Sequence, residues 1–330
     1  MVVKTKYDYG VWFNSHHSTE FYLDVIEKVI SFPEKDKNIV PIPMTSKTYD
    51  FSSFYGSQPY KQREIKLVFL IQNWQDLTKD ALYNKWTVAV NWLMQPNGLT
   101  TLVDDIMPQY QYRVEVQKAP EFKEARTKGT LTVYFTAYPF RIDMLPEGHD
   151  LVAFMNVNLD VRQYTNFEFK SNWSNFKQLN VGDTATYGAW ATQYYDHDSS
   201  TGGGDSITPS LHGYTYEIID KIAVNKSENR PSRYAYKLAN HKDWLLEQDI
   251  VQAQTEYLDI ILVNNGINEV VPKVNTSHKV TIVRGNEIYN LMPGVYETEQ
   301  FMLYPGENAM QLYIPNVTLN INFNFHKELI

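Results

Sequence analysis

The sequence has no cysteine among its 330 residues, and its acidic side chains outnumber its basic ones. Without cysteine, the chain can hold no disulfide, no thiolate metal site and no cysteine nucleophile. Lysine and arginine total 30 against 38 aspartates and glutamates, which gives a formal net charge of −8. Because sequence-independent binding to nucleic acid needs clustered positive charge, we expect no nucleic-acid partner.

Long apolar segments are also missing. No run of apolar residues approaches the roughly 20 that a membrane-spanning helix needs, so we expect no membrane partner. Residues 1–9 lack the apolar core of a secretory signal. We therefore expect synthesis in a cytoplasm without secretion.

Catalytic motifs are absent as well. The sequence has no Gly-x-Ser-x-Gly elbow, no Walker phosphate loop and no His-Glu-x-x-His metal motif. Asp104 and Asp105 come nearest to the paired carboxylates of a glycosidase. Neighbouring residues of a strand point to opposite faces, so we expect a turn residue and a surface charge. The protein is predicted to be no enzyme and to bind no cofactor.

What the chain does have is aromatic residues and alternating strands. Phenylalanine, tryptophan and tyrosine make up 14% of the sequence, and such residues favour sheets and interfaces. The clearest strand places Leu131, Val133 and Phe135 on one side and polar residues on the other. Pro139 has no N–H for a ladder hydrogen bond, so this strand should end near Tyr138 and the chain should change direction.

One long segment, residues 74–94, has helical spacing. Its apolar stripe recurs at three and four residues, at Leu82, Trp86, Ala89 and Leu93. Asp76 or Thr78 can cap its N-terminus.

The remaining segments predict a mainly β protein. Residues 39–44 contain two prolines and suit an extended edge segment. Period-2 alternation or short apolar runs predict further strands at 63–71, 99–105, 110–116, 151–159, 167–170, 258–263, 280–283, 301–303, 310–314 and 317–325.

The first third of the chain resembles the ring-forming ("belt") domain of distal tail proteins of long-tailed bacteriophages. The matching segments are, in chain order, Phe54-Tyr55-Gly56, Tyr60-x-x-Arg63-x-Ile65-x-Leu67, Trp92-Leu93 before Gly98, Leu102-x-Asp104-Asp105 and Tyr138-Pro139-Phe140-Arg141. The tail of the chain resembles the galectin-like β-sandwich of the same family, through residues 263–272, 303–308 and 327–330.

Residues 178–253 depart from the simple pattern of that family. They resemble an inserted small β-barrel of the Src-homology-three type, as found in bacterial cell-wall-binding modules, through residues 181–187, 213–218 and 244–250. Three domains are therefore predicted. They are a ring domain (1–143), a galectin-like β-sandwich (144–177 and 254–330) and the inserted small-barrel module (178–253).

The resemblance implies a structural role in the virion, at the phage tail tip. It implies a homo-oligomer, a ring of six subunits, that joins the tail tube protein to a tail-associated tip protein. The galectin-like domain would project outward and carry the insert, whose partner is expected to be host cell-wall polysaccharide. Alternatively, the insert is a docking arm for a receptor-binding protein. A cell-wall hydrolase with a targeting module is a third hypothesis, against which the missing catalytic motifs weigh.

Carbohydrate-binding residues are predicted within the insert. A pyranose ring packs its C–H face on an exposed aromatic ring, and its hydroxyls need polar partners. Trp190, Tyr194, Tyr195 and Asp196 could form such a platform beside a glycine-rich loop, with Trp244 as a further candidate. The alternative is that Trp190 and Trp244 fill the core and the tyrosines are ordinary surface residues.

No metal site is predicted. His197 lies among Asp196, Asp198 and Asp205. This spacing does not match the EF-hand order of calcium ligands, so we interpret the segment as a solvated loop.

Overall fold

The computed structural model describes residues 9–43, 45–54, 58–71, 78–125, 128–148, 165–199, 202–225 and 230–330. The described residues are mainly strand, with one α-helix, which confirms the predicted fold class. The strand predicted at 151–159, the turn residues Tyr55 and Gly56, and the helix start with Asp76 lie outside them. The chain divides into two compact units, one of Met1–Pro146, Gly266–Glu269 and His326–Ile330 and one of Glu147–Asn265 and Val270–Phe325.

The described part of the first 143 residues contains short and long strands and the α-helix. In chain order these elements are β1 (Val11–Phe13), β2 (His16–His17), β3 (Leu23–Ile30), β4 (Ile39–Pro41), β5 (Thr48–Asp50), β6 (Arg63–Ile71), α1 (Lys79–Met94), β7 (Thr100–Asp104), β8 (Tyr110–Val116), β9 (Glu121–Ala125), β10 (Lys128–Ala137) and β11 (Arg141–Asp143).

The middle of the chain contributes β12 (Asn166–Lys170), β13 (Thr184–Thr186), β14 (Gln193–Tyr195), β15 (Gly203–Ser206), β16 (Thr215–Ala223), β17 (Tyr234–Leu238) and β18 (Trp244–Leu246). The last part adds β19 (Leu258–Asn264), β20 (Lys273–Thr276), β21 (Val280–Arg284), β22 (Glu287–Leu291), β23 (Gly294–Tyr296), β24 (Gly306–Tyr313), β25 (Thr318–Asn324) and β26 (Glu328–Leu329). Short 3₁₀ turns cover Ser18–Phe21, Pro209–Leu211, Glu247–Asp249 and Val251–Ala253.

A single antiparallel sheet organises the first unit. Its central path runs β2-β1-β7-β8-β10-β6-β3, with β9 beside β10 and with β11 joining β8 to β26. Strand β10 pairs with β6 along its length, from Gly129 opposite Ile71 to Ala137 opposite Arg63. The side chains predicted to face inward from β10 are buried, and the strand ends at Ala137, just before the predicted stop.

The helix α1 packs its predicted stripe against this sheet. Thr78 caps it, since its Oγ1 accepts a hydrogen bond from the Ala81 N–H at 3.3 Å. Leu82, Ala89 and Leu93 are buried in one core with the inward side chains of the sheet. Trp92 joins them, and its indole N–H donates to the Phe13 carbonyl at 3.2 Å.

The acidic pair of the first unit is not the expected surface feature. Asp104 is only 5% exposed, and its carboxylate accepts a hydrogen bond from the Tyr9 hydroxyl at 2.8 Å and pairs with the Lys28 ammonium. Asp105 accepts from the Gly10 N–H at 3.2 Å and lies 3.1 Å from the His17 ring. The expected surface charge is therefore wrong for Asp104, because Tyr9 and Lys28 cover it.

The second unit contains a β-sandwich. One sheet has the order β12-β25-β20-β23 and the other β19-β24-β21-β22. The inward side chains of both sheets form one core, in which Leu319 and Phe323 of β25 and Leu312 of β24 have no exposed surface. The alternation predicted for residues 317–325 is thus confirmed. The segment predicted as a strand at 301–303 is reduced to a single bridge between Leu303 and Val270.

Replacing Asp104 by asparagine tests the buried network of the first unit. Asp104→Asn leaves the Lys28 ammonium without its counter-charge, so we expect the free energy of unfolding to fall by about 2 kcal/mol in chemical denaturation. Glu34→Gln is the control, since Glu34 and Lys61 form an exposed pair at 3.8 Å and such pairs contribute at most about 1 kcal/mol. Equal effects of the two substitutions would contradict the burial argument.

Candidate functional site in the inserted sheet

Residues predicted as an insert form a six-stranded sheet in the order β13-β16-β17-β18-β14-β15. Tyr187 and Tyr236 are fully buried in its core. The Tyr236 hydroxyl accepts a hydrogen bond from the Leu179 N–H at 3.0 Å, and the Tyr187 and Tyr194 hydroxyls lie 3.2 Å apart. Burial raises the pKa of Tyr236 to about 12, because the core disfavours the charged phenolate. The Src-homology-three relationship and the three domain bounds stay predictions.

Trp190 lies beneath the surface. It is 6% exposed, and its indole N–H donates to the Gln248 carbonyl at 2.9 Å. Its ring packs with Val251 and with Tyr313 of the sandwich strand β24. Such packing leaves a sugar no access to the faces of the ring. Trp190 therefore anchors the inserted sheet on the sandwich.

A backbone contact strengthens this anchor. The Ala189 N–H donates to the Thr281 hydroxyl of β21 at 2.9 Å, and Thr281 also donates to Asn290 at 2.9 Å. The Gly188 N–H donates to the Asp249 carbonyl at 2.9 Å. The turn that carries Trp190 is thus held on both sides, by the inserted sheet and by the sandwich.

The two neighbouring tyrosines lie on opposite faces of the inserted sheet, as adjacent residues of a strand must. Tyr194 points into the main core of the sheet. Tyr195 packs on the other side with Ala235 and Leu246. Trp244 is its direct cross-strand neighbour and is half-buried. The structure therefore brings Tyr195 and Trp244 together and separates them from Tyr194.

Asp196 follows Tyr195 and is exposed. Its Oδ1 accepts a hydrogen bond from the Asp198 N–H at 3.0 Å, which shapes the turn after β14. Of the five residues predicted to bind carbohydrate, Tyr195, Asp196 and Trp244 thus form one group. Binding by this group stays a prediction.

Two cations that sequence reasoning missed lie over these rings. The Arg230 guanidinium is 5.0 Å from the centre of the Tyr195 ring, and the Lys237 ammonium is 5.4 Å from the Trp244 ring. We call Tyr195, Trp244, Arg230 and Lys237 the aromatic–cation face. A cation over an aromatic ring is attracted by the ring quadrupole. The period-2 position of Lys237 on β17, opposite Trp244, is the sequence signal that could have indicated this pair.

Two buried carboxylates follow β18. Glu247 has no exposed surface, accepts from the Arg233 N–H at 2.9 Å and pairs with the Arg233 guanidinium at 3.1 Å. Asp249 is 6% exposed, and burial raises its pKa to about 8. In the sequence, both residues lie within the segment 244–250 that resembles a small β-barrel, and neither is predicted to be a buried carboxylate. Glu247 is compensated by a partner of opposite charge, whereas the desolvated Asp249 favours its protonated form.

Neither a metal-ligand cluster nor a membrane-spanning helix is found among the described residues. Among them, no three histidine or acidic side chains are close enough to hold a metal ion. No helix of the described chain is long and apolar enough to cross a membrane.

Comparison with known proteins gives structural neighbours only. No protein-family model and no curated protein matches the sequence. A crystal structure of the SPP1 Dit (gp 19.1) protein, described as a paradigm of the hub adsorption apparatus in phages infecting Gram-positive hosts, is 8% identical. It covers 98% of this chain and 99% of its own, with a TM-score of 0.49.

Two structures of the phage p2 baseplate in its activated conformation are also similar. The one with Ca has a TM-score of 0.34 at 8% identity, and the one with Sr a TM-score of 0.28 at 9% identity. Each covers 96% of this chain and 97% of the neighbour. At these scores and identities, the similarities assign neither a family nor a function to the chain.

The buried Asp249 predicts a pH-dependent stability. The ordinary pKa of an aspartate is 3.8, and that of the folded Asp249 is about 8. The unfolded chain therefore loses this proton near pH 4, whereas the folded chain keeps it until about pH 8. The contribution of this carboxyl to stability should fall as the pH rises from about 4 to about 8.

Asp249→Asn should remove that dependence. Because one pKa unit corresponds to about 1.4 kcal/mol, we expect the variant to gain several kcal/mol relative to the wild type between pH 5 and pH 8, measured by denaturation. Glu217→Gln, at an exposed position of the same sheet, is the control. A variant that keeps the wild-type pH dependence would show that Asp249 is not the cause.

Proposed function

We propose that this protein is a structural component of a phage tail tip, a distal tail protein that assembles into a ring. The order of sequence segments in the first 143 residues supports the proposal. The main support for assembly is a β-hairpin whose residues are exposed in the single chain.

That hairpin consists of β4 and β5, which pair only with each other among the described strands. All residues of both strands are exposed. Val40 lies directly opposite Tyr49, and the two are 46% and 60% exposed. Phe51 and Phe54 follow, at 42% and 69%. An isolated two-stranded hairpin is marginal in water, and an exposed apolar cluster marks an interaction surface.

We infer that a second copy of the chain covers this hairpin. The contact would be heterologous, since the hairpin of one subunit meets a different surface of the next. Repetition of such a contact closes a ring when the rotation per subunit divides the full circle. Six subunits is the number that the sequence resemblance implies. The tail tube protein and a tail-associated tip protein are the proposed neighbours along the tail axis.

Two lysines on the hairpin should weaken assembly. Val40→Lys with Tyr49→Lys places charge on the proposed contact but removes no buried side chain, so the melting temperature should stay within a few degrees of the wild type. Light scattering and native mass spectrometry should show multiples of 38.5 kDa for the wild type and a shift toward the single chain for the variant.

Ile219→Lys serves as the matched control, because Ile219 is 49% exposed on the inserted sheet. A wild-type protein that stays monomeric at high micromolar concentration would contradict self-assembly. A double variant that assembles like the wild type would contradict the role of the hairpin.

We propose further that the inserted sheet binds host cell-wall glycan through the half-buried ring of Trp244 and the exposed Asp196, with the buried Tyr195 supporting Trp244 from the neighbouring strand. Aromatic faces with neighbouring polar groups suit sugars, and copies arranged in a ring would add avidity. The second candidate is a docking arm for a receptor-binding protein, which the aromatic–cation face supports, because tyrosine, tryptophan and arginine are enriched in protein interfaces.

Trp244→Ala separates these two functions. In a titration with purified host cell-wall polysaccharide, we expect about a tenfold loss of affinity. Tyr214→Ala is the control, since Tyr214 is 61% exposed in the same insert. If the variant instead loses co-purification of the receptor-binding protein and polysaccharide binding is unchanged, the docking function replaces the glycan function.

A further inference from the structure

The sandwich of the second unit carries an open groove of about 450 Å³ on its β12-β25-β20 sheet. Its floor includes Phe167 and Ile321, which pack inward against the sandwich core. Its walls are polar side chains that point away from that core. The groove lies in the sandwich and shares no residue with the aromatic–cation face.

Six polar side chains form a grid across three strands. One row holds Asn166, Asn322 and Asn275, and the other holds Glu168, Asn320 and Ser277. In the first row the three asparagines are direct cross-strand neighbours. With strands about 4.8 Å apart and like-facing residues about 7 Å apart along a strand, the grid spans about 10 Å by about 7 Å.

Asparagine is an unusual choice at these positions. It is depleted in strands, where threonine and valine are favoured. Yet each outward residue after Thr318 in β25 is an asparagine, at positions 320, 322 and 324. Residues that contradict local propensity are expected at functional or strained sites.

The grid also has unused hydrogen-bonding capacity. The Asn322 side chain donates to the side-chain oxygen Oδ1 of Asn166 at 2.5 Å, and the Ser277 hydroxyl accepts from the backbone N–H of Asn320 at 2.8 Å. The side chains of Glu168, Asn275 and Asn320 make no hydrogen bond to another side chain or backbone group of the described residues. Each amide offers two donors and an acceptor.

This chemistry selects a class of ligand. A sugar hydroxyl both donates and accepts, and the grid presents donors and acceptors side by side. The lining contains no lysine or arginine and one carboxylate, which disfavours phosphate-rich polymers. The polar walls equally disfavour an apolar ligand. We propose that this groove binds a neutral oligosaccharide through Asn275, Asn320 and Glu168, a site that is independent of ring assembly and of the inserted sheet.

The test uses the full-length protein and saturation-transfer NMR. The probes are neutral oligosaccharides of glucose, galactose, rhamnose and N-acetylglucosamine, with polyglycerol phosphate as the anionic comparison. We expect at least one neutral probe to bind and polyglycerol phosphate to bind more weakly. Asn275→Ala with Asn320→Ala should lower the affinity for the neutral probe by about tenfold or more.

Asn324→Ala is the matched control, because Asn324 is exposed on the same strand and lies outside the lining. It should bind like the wild type. Neither the groove double variant nor Asn324→Ala should alter the melting temperature or the assembled mass, so failure of the groove is distinct from failure of the ring. The proposal is overturned if no neutral probe binds, if polyglycerol phosphate binds more tightly, or if the groove double variant binds as well as Asn324→Ala.

Discussion

One-sided burial of alternating strands is the constraint on which both units depend. In β10, Leu131, Val133 and Phe135 have no exposed surface, and in β25 Leu319 and Phe323 have none either. Each strand gains its stability from the face that leaves water. The opposite face of each strand is half-buried or exposed and carries mostly polar side chains. A slip of one residue in either strand would exchange these faces, so the register is strongly determined.

The inserted sheet depends on the sandwich in a different way. Trp190 packs with Tyr313, and Ala189 donates to Thr281, so the insert and the sandwich share a small apolar cluster and a backbone hydrogen bond. A small domain has little core of its own. Sharing a tryptophan with the sandwich compensates for that limit and fixes the orientation of the insert. It also removes that ring from any contact with a ligand.

The proposed functions use the surfaces that this packing leaves open. The β4–β5 hairpin has its apolar residues in water, the aromatic–cation face presents the half-buried Trp244 ring beside Lys237, and the grid on β12, β25 and β20 presents amides. These surfaces differ in chemistry. An apolar hairpin suits a second copy of the chain, whereas rows of neutral amides suit hydroxyl groups. Assembly and ligand binding can therefore be assigned to separate residues.

Elements whose periodicity is long and regular can be located from the amino-acid sequence alone. It predicted β6, β10 and the stripe of α1, because one-sided burial leaves a repeat of two or of about 3.6 residues. Which side chains are buried away from solvent depends on the tertiary structure. The sequence leaves Trp190 open between a sugar platform and a core position and predicts a surface charge at the acidic pair, whereas Trp190 and Asp104 are both buried by residues distant along the chain, Tyr313 and Lys28. The amide grid could not be predicted from the sequence either, because the strands that are neighbours in this sheet come from separate parts of the chain.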